Sequence, residues 1–409
     1  MGGDHHTAVS QPSVFQSSLL SRINERQVFR TLQAHGPLSR AEVARRSGIS
    51  VPTASKAVES LLRAGLLEEG HASEAARGRP ARHVRLANRT AGVLGLVLDV
   101  GLCRLVGAGL DGKLHSERAV VFPTPPTYEG FLDAATDAAR SFLAPPGAAM
   151  LGLGISMPGL IDTHCRQGIL SPNLPMTDGR SPSLDLAERL GLECVLVQEA
   201  HALCLAERWY GAAKDLEDFA VLDVTTGVGL GVMSGGRLLN GHSGLAGEIG
   251  HITVQPNGRL CGCGNLGCLE TLACDAALAE LVSHRLGRRL SLDDLLGDRC
   301  RPGVTAAELD DVVHYLGIGL AAVVNLFNPA TLFVHGRLFE LEAGLFDRVL
   351  DETRRRALPP SLADCRIVRA QATKPQGAVA AIIEHLTNAL VPVLPADLFR
   401  ATIAASDKE

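Results

Sequence analysis

A short run of histidine and cysteine residues constrains this chain more than any other feature. His251 is followed after nine residues by Cys261, then after one residue by Cys263 and after four by Cys268. An imidazole and three thiolates at these spacings predict a tetrahedral zinc site, spanning residues 251–268. Four protein ligands leave no open coordination position, so we expect one structural zinc per chain. Buried free cysteines are the less favoured alternative, because the three lie so close together beside glycines.

Two acidic residues flank this cluster. Glu248 lies three residues before His251, and Glu270 lies two residues after Cys268. A bound metal would hold Glu248, His251 and Glu270 near one another. Carboxylates and an imidazole pair well with sugar hydroxyls, because each hydroxyl both donates and accepts hydrogen bonds. The cluster therefore suggests a carbohydrate site; the alternative is that both acids only support the zinc shell.

Charge is distributed unevenly along the chain. Residues 21–90 carry 13 Lys and Arg against 6 Asp and Glu, a net charge of +7, whereas the whole chain carries −5. A basic module on an acidic body is typical of proteins that bind the phosphate backbone of DNA. A solvated basic face without a partner would give the same count.

The pattern within this basic module predicts a helix-turn-helix. An amphipathic helix over 21–34 is followed by a second helix that Ser39 and Glu42 open as a capping box. Gly48 makes the turn, and Ser50 caps a third helix, which ends at Gly65. In a helix-turn-helix, the helix after the turn places its N-terminal residues against base edges in the major groove. Here that helix is the third one of the module. The candidates for DNA contact are Ser50, Thr53 and Lys56.

Two short strands, 66–69 and 83–86, complete a predicted winged helix. The loop between them carries Arg77, Gly78 and Arg79, and arginines on a hairpin tip suit a narrow minor groove. We therefore add Arg77 and Arg79 to the DNA-binding candidates. The alternative is a three-helix domain that binds another protein, which the basic wing disfavours.

From residue 91 the chain becomes rich in glycine, valine and leucine. Apolar strands alternate with helices, which predicts α/β layers. The strands that begin near residues 94 and 221 could open two similar lobes. Strands are predicted at 94–99, 105–106, 151–156, 195–197, 219–224 and 332–334, and helices at about 127–143, 200–210 and 306–327.

The N-terminus lacks a basic region followed by an apolar stretch, so no secretory signal is predicted. No apolar run reaches membrane-spanning length without a charged or polar break. We expect a cytoplasmic protein without membrane contact. Its expected parts are a flexible tail (1–18), a winged helix-turn-helix domain (19–90) and an α/β body (91–400).

These residues resemble the ROK family, which comprises repressors and sugar kinases with one two-lobed, actin-like ATPase fold. The resemblance extends from about residue 19 to 390. Its most specific piece is Ala246-Gly247-Glu248-Ile249-Gly250-His251, followed by the run Cys261-Gly262-Cys263-Gly264-Asn265-Leu266-Gly267-Cys268-Leu269-Glu270. The N-terminal winged helix resembles that of the repressor branch, which includes xylose and N-acetylglucosamine repressors.

The resemblance implies roles for individual residues. His251 would bind zinc through one ring nitrogen and a sugar hydroxyl through the other, while Glu248 and Glu270 would hold further hydroxyls. Gly159 and Asn173 would line the same pocket. In the kinases an Asn-Asp pair next supplies a sugar ligand and the catalytic base. The corresponding pair here is Gln198-Glu199, so Glu199 stands at a degenerate base position where it could still bind a sugar.

The segments that resemble phosphate loops also depart from the kinase pattern. The first reads Asp99-Val100-Gly101-Leu102-Cys103-Arg104 in place of Asp-x-Gly-Gly-Thr-Lys, so we expect Leu102 and Cys103 to crowd the turn. The second reads Thr225-Thr226-Gly227-Val228-Gly229, and the third His335-Gly336. Phosphoryl transfer depends on positioning and charge stabilisation, so these departures predict a protein that is not an enzyme.

Three functions remain open on sequence alone. The favoured hypothesis is a sugar-responsive transcriptional regulator, a repressor that binds operator DNA as a homodimer or a dimer of dimers. A sugar kinase with an appended DNA-binding domain is the second. A regulator controlled by a protein partner, with a vestigial sugar pocket, is the third, and the replacement of Asn by Gln198 keeps it open.

Overall fold

The computed structural model of the protein describes residues 13–70, 82–143, 149–162, 166–297 and 303–389. Its N-terminal part is a three-helix unit with a small antiparallel sheet, in the strand order β1-β3-β2. This arrangement confirms the predicted winged helix-turn-helix. The elements are α1 Ser13–His35, β1 Leu38–Ser39, α2 Arg40–Ser47, α3 Val51–Arg63, β2 Leu67–Gly70 and β3 His83–Leu86.

Local sequence signals set the helix ends in this unit. The Ser39 side chain accepts the backbone N–H of Glu42, and the Glu42 carboxylate accepts the backbone N–H of Ser39, which is the predicted capping box. Gly48 ends α2 with φ of 70°, and the Ser50 side chain caps α3. One boundary differs from expectation: α1 begins at Ser13, inside the segment expected to be a flexible tail.

The first lobe of the body contains a five-stranded sheet in the order β10-β7-β4-β5-β6. β4 runs parallel to β7 and antiparallel to β5, so a hairpin is joined to parallel strands. The elements are β4 Ala91–Leu98, β5 Leu102–Gly109, β6 Val120–Pro123, α4 Tyr128–Leu143, β7 Ala149–Met157, β8 Leu160–Asp162, β9 Gln167–Leu170, α5 Pro182–Leu190, β10 Glu193–Gln198 and α6 Glu199–Trp209.

The second lobe repeats this plan with the sheet order β13-β12-β11-β14-β15. β11 pairs antiparallel with β12 and parallel with β14, as β4 pairs with β5 and β7. The two lobes suggested by the sequence are therefore present. The elements are β11 Phe219–Asp223, β12 Gly229–Ser234, β13 Arg237–Leu238, α7 Asp275–Leu286, α8 Leu292–Leu296, α9 Ala306–Phe327, β14 Thr331–His335, α10 Leu345–Arg354, α11 Pro359–Ala363 and β15 Arg366–Arg369.

The last helix of the described residues, α12 Lys374–Ala389, leaves the second lobe and packs on the sheet of the first. Glycines in the sheet permit a close approach: a Cβ atom at Gly154 would lie 1.8 Å from the backbone oxygen of Ala378. Near its C-terminal end, Ile383 belongs to the same buried apolar cluster as Phe29 of α1. The winged helix and the first lobe therefore share one core.

Helix α9 is the one described helix that is long and apolar enough to span a membrane by length and composition. The sequence alone predicts no such span. In the fold, 56% of its most apolar window is buried, and its buried side chains belong to the core of the second lobe. A core helix satisfies the same length and composition test, so this helix is weak support for a membrane span.

Candidate metal centre, ligand cleft and DNA-binding surface

The four predicted metal ligands lie together in one loop of the second lobe. One ligand atom from each of His251, Cys261, Cys263 and Cys268 falls within 4.8 Å of the others. The Cys263 and Cys268 Sγ atoms are 3.8 Å apart, and the His251 Nδ1 atom lies 3.6 Å from the Cys261 Sγ atom. Tetrahedral zinc with Zn–S bonds of about 2.3 Å separates its sulfur ligands by about 3.8 Å. The donor set and its spacing therefore fit a zinc ion.

His251 connects this metal centre to the cleft. Its Nδ1 atom faces the cysteines, while its Nε2 atom lies 3.6 Å from the Glu248 Oε2 atom. The Glu270 Oε1 atom lies 2.9 Å from the Cys261 Sγ atom and 3.5 Å from His251 Nδ1. A metal held through Nδ1 would leave Nε2 directed toward the cleft, which is the division of roles that the family resemblance implies.

The seven residues expected to bind a ligand line one cavity between the lobes. This cavity measures about 60 Å³ and adjoins a larger one of about 620 Å³, with which it shares Asn173 and Glu270. The smaller cavity holds only a few water molecules, so a sugar must also use the larger one or separate the lobes. The seven residues are Gly159, Asn173, Gln198, Glu199, Glu248, His251 and Glu270.

Backbone requirements fix two of these positions. Gly159 adopts φ of 99°, and a Cβ atom there would lie 2.7 Å from the Ser171 side chain. The Gln198 Oε1 atom accepts the backbone N–H groups of Ala200 and His201 and so caps α6. Gln198 therefore has a structural role as well as a place in the cavity wall, and its oxygen is not available to a ligand in this arrangement.

Glu199 has a partner that the sequence did not reveal. The Lys374 Nζ atom, at the start of α12, lies 2.9 Å from Glu199 Oε1, 3.0 Å from Asp99 Oδ2 and 3.9 Å from Asp223 Oδ2. Burial raises the pKa of Glu199 to about 7 against the opposing attraction of Lys374. The pKa of Lys374 is raised because its three carboxylate neighbours outweigh its burial.

The first phosphate-loop segment differs from expectation in its detail. Leu102 and Cys103 belong to β5, with Leu102 exposed and Cys103 buried, so neither crowds a turn. The turn itself comprises Asp99, Val100 and Gly101, and Asp99 accepts a hydrogen bond from Thr226 of the second lobe at 3.0 Å. Lys374, contributed by a distant part of the chain, lines a cavity of about 1020 Å³ together with Asp99 and Val100 of this turn.

The DNA-binding candidates divide into two groups. Ser50 caps α3, and Thr53 and Lys56 lie in its first two turns, where Lys56 is exposed and the Ser50 hydroxyl lies 2.8 Å from that of Thr53. Arg77 and Arg79 lie outside the described residues. The three described candidates therefore present one ammonium and two hydroxyl groups at the N-terminal end of a single helix.

The chain combines a winged helix with a two-lobed α/β body that has a Cys₃His cluster at its cleft. This combination of domains defines the class of protein to which the chain belongs. Residues 96–385 match the model of the ROK family, and residues 22–68 match that of a winged helix-turn-helix DNA-binding domain. Since the family model covers more than half of the sequence, the chain belongs to the ROK family.

Relatives with known roles lie in the repressor branch. The chain is 28% identical over 380 residues to the DNA-binding transcriptional dual regulator NagC of Escherichia coli K12, covering 89% of this chain and 93% of that protein. It is 28% identical over 338 residues to the xylose repressor of Bacillus subtilis 168, covering 80% of this chain and 85% of that protein.

Solved structures include both branches of the family. A ROK transcriptional regulator, a homologue of the E. coli MLC protein, matches with a TM-score of 0.74 and 25% identity, covering 91% of this chain and 99% of that one. A ROK glucokinase from Streptomyces griseus, in complex with glucose and AMPPNP, matches with a TM-score of 0.63 and 25% identity, covering 71% and 98%. The regulator therefore covers a larger share of this chain than the kinase does.

Proposed function

We propose that this protein is a sequence-specific DNA-binding transcriptional regulator, a repressor of carbohydrate metabolism genes that responds to a sugar or sugar derivative. The observation that carries this proposal is the joining of a helix-turn-helix, with an exposed Lys56 on α3, to a cleft lined by Glu248, His251 and Glu270. Similarity to a DNA-binding transcriptional dual regulator and to a xylose repressor supports it. In this proposal residues 19–90, with α1 extending back to Ser13, bind DNA, and residues 91–400 form the sensor body.

The same proposal assigns the remaining components. One structural zinc per chain, bound by His251, Cys261, Cys263 and Cys268, would fix the loop that carries the ligand-binding acids. A homodimer or dimer of dimers in the cytoplasm would read a palindromic operator. A ligand changes DNA affinity only if it binds the two states of the protein with different affinity.

Selection of DNA from a random 30-bp duplex library by the full-length protein tests the DNA-binding half. We expect one enriched palindromic sequence, and the absence of enrichment would contradict this half. The sensing half is tested by measuring affinity for the selected duplex in the presence of a panel of hexoses, pentoses, amino sugars and their phosphates. Glu248→Gln should lose the sugar response and keep DNA binding, whereas Glu217→Gln, at an exposed residue that lines neither cavity, should keep both.

A sugar kinase with an appended DNA-binding domain is the second candidate, favoured by the structural match to a glucokinase bound to glucose and AMPPNP. Against it, Asp99 and Glu199, which the resemblance assigns to the phosphate loop and the base position, are both paired with the Lys374 ammonium. An ADP-release assay with hexoses and Mg·ATP separates the two candidates. Turnover above about 1 s⁻¹, within the usual range for enzymes, would favour the kinase.

A further inference from the structure

The chain crosses from the second lobe to the first through residues 370–373, between β15 and α12. Two glutamates of α6 hold this crossing. The buried Glu207 Oε1 atom accepts the backbone N–H groups of Gln371 and Ala372 at 2.6 and 2.7 Å. Glu199 pairs with Lys374 immediately beyond, at 2.9 Å. Glu199 and Glu207 are eight residues apart, slightly more than two helical turns, so both can face the same segment.

Lys374 is held by carboxylates from both lobes. Asp99 follows β4 and Glu199 begins α6 in the first lobe, whereas Asp223 ends β11 in the second. The lysine side chain is only 11% exposed. Glu199 and Asp223 also line the ligand cavity, but Lys374 does not. A ligand hydroxyl that hydrogen-bonds to the Glu199 carboxylate therefore competes with the Lys374 ammonium, which anchors the start of α12.

Helix α12 is suited to transmit a change at this anchor. It has 16 residues, so it is about 24 Å long. Cβ atoms at Gly95 and Gly152 would lie 2.8 Å from Val379 and 2.7 Å from Ile382. Such close packing against the sheet leaves little room for side chains to absorb a displacement, so the helix shifts as a unit.

The C-terminal part of α12 contacts the winged helix directly. The Glu384 carboxylate lies 3.1 Å from the Arg30 guanidinium, and Asn388 accepts a hydrogen bond from Arg26. Residues of α1 and α12, with Leu66 directly before β2 and Leu110 directly after β5, enclose a small apolar space of about 20 Å³. Its walls are Phe29, Leu66, Leu110, Ile383, Leu386 and Thr387. A shift of α12 therefore changes contacts of the domain that carries the recognition helix.

We infer that α12 is the element through which the state of the cleft reaches the winged helix, and that the Lys374–Glu199 pair is the contact that sets its position. This inference deepens the proposed function by naming its route of regulation. Ligand binding at Glu199 breaks its pair with Lys374 and frees the first turn of α12. The contacts that Arg26 and Arg30 make with the C-terminal part of α12 then change.

Hydrogen exchange of the full-length protein, without DNA or sugar, tests this route. Lys374→Met keeps most of the length of the side chain and removes its ammonium group and charge. We expect amide exchange to accelerate at least five-fold both in residues 371–378 and in residues 26–35 of α1. Arg140→Met is the control, because Arg140 is 65% exposed on α4 of the same lobe, and it should leave α1 unchanged.

A second variant tests the far contact. Glu384→Gln should accelerate exchange in α1, and adding Lys374→Met to it should change α1 by less than two-fold, because the route is already interrupted. The inference is overturned if Lys374→Met loosens residues 371–378 and leaves α1 within two-fold of the original protein. If Lys374→Met shows no cooperative thermal unfolding, exchange is measured on Glu199→Gln instead. Faster exchange in α1 then supports the inference, and exchange in α1 within two-fold of the original protein overturns it. Since no DNA or sugar is used, failure here is distinct from failure of the proposed function.

Discussion

The Glu68 carboxylate accepts the backbone N–H of Arg89 at 2.6 Å and so fastens the winged helix to the chain that enters the body. The same Oε1 atom accepts the backbone N–H groups of Asn88 and Thr90 at 3.0 and 2.8 Å. Its other oxygen lies 3.1 Å from the Arg85 guanidinium. Burial raises the pKa of Glu68, but these hydrogen bonds outweigh it and lower the pKa to about 2.

This lowered pKa predicts acid sensitivity at the junction. A carboxyl whose pKa is lower in the folded protein stabilises the fold fully above its unfolded pKa of 4.5, and the stabilisation is lost as pH falls toward 2. A shift of this size corresponds to about 3 kcal/mol, since one pKa unit is about 1.4 kcal/mol. Glu68→Gln should therefore lower the free energy of unfolding at pH 7 and have less effect at pH 3.

Urea unfolding at both pH values measures this difference. Glu69→Gln is the matched control, because Glu69 is the adjacent residue and pairs with Arg40 and Arg82 at the surface, where ion pairs contribute little. Equal loss of stability by Glu68→Gln at pH 7 and pH 3 would contradict the prediction.

The proposed zinc site predicts a selective effect of cysteine substitution. Cys263→Ser removes one of four ligands and should abolish stoichiometric zinc in the purified protein and lower the melting temperature, because metal binding contributes to folding. Cys365→Ser is the control, since Cys365 is also half-buried but lies outside the cluster. Zinc content by mass spectrometry checks both. Retention of one zinc per chain by Cys263→Ser would argue against the ligand set.

Features with a local cause could be predicted from the sequence. The capping box of Ser39 and Glu42 and the helix 306–327 depend on residues a few positions apart, and both are present in the fold. The Cys₃His cluster could be predicted because its four residues lie within 18 positions in a glycine-rich loop. In each case the spacing of the residues along the sequence is enough to predict how they are arranged in the fold.

Features that join distant parts of the chain could not be predicted in this way. Lys374 meets Glu199 across 175 residues, and Glu68 reaches Arg89 across 21. Helix α12 was missed because residues from Gly377 to Ile383 are all buried, so the segment shows no alternation of apolar and polar faces. Its recognition needs knowledge of the glycines that face it in β4 and β7.

Those glycines provide a further prediction. A Cβ atom at Gly154 would overlap the backbone oxygen of Ala378, and backbone cannot move aside as a flexible side chain can. Gly154→Ala should therefore destabilise the protein by about 3 kcal/mol, at the upper end of the usual cost of overpacking. Gly70→Ala is the control, because its Cβ atom would meet nothing nearer than 4.0 Å. Denaturant midpoints of the two variants measure the difference, and equal midpoints would contradict close seating of α12.

The recognition helix α3 has an exposed positive charge near its N-terminal end. Lys56 is exposed in α3, so we expect its ammonium to contact a phosphate when the helix enters the major groove. When binding releases counterions, the logarithm of the binding constant falls linearly with the logarithm of the salt concentration. The slope of that line reflects the number of phosphate contacts. Lys56→Ala should reduce that slope by about 1 for any duplex, because the lost contact carries no base information.

Titration of a selected and a random 30-bp duplex between 50 and 200 mM salt, a range over which such binding changes by orders of magnitude, measures this slope. Lys113→Ala removes the same charge from the body and should leave the slope unchanged if α3 is the surface that meets DNA. Thr53→Ala should instead lower the ratio of selected to random binding, because a hydroxyl can contact a base edge without neutralising a phosphate. A reduced slope with Lys113→Ala and an unchanged one with Lys56→Ala would move the DNA-binding surface away from α3.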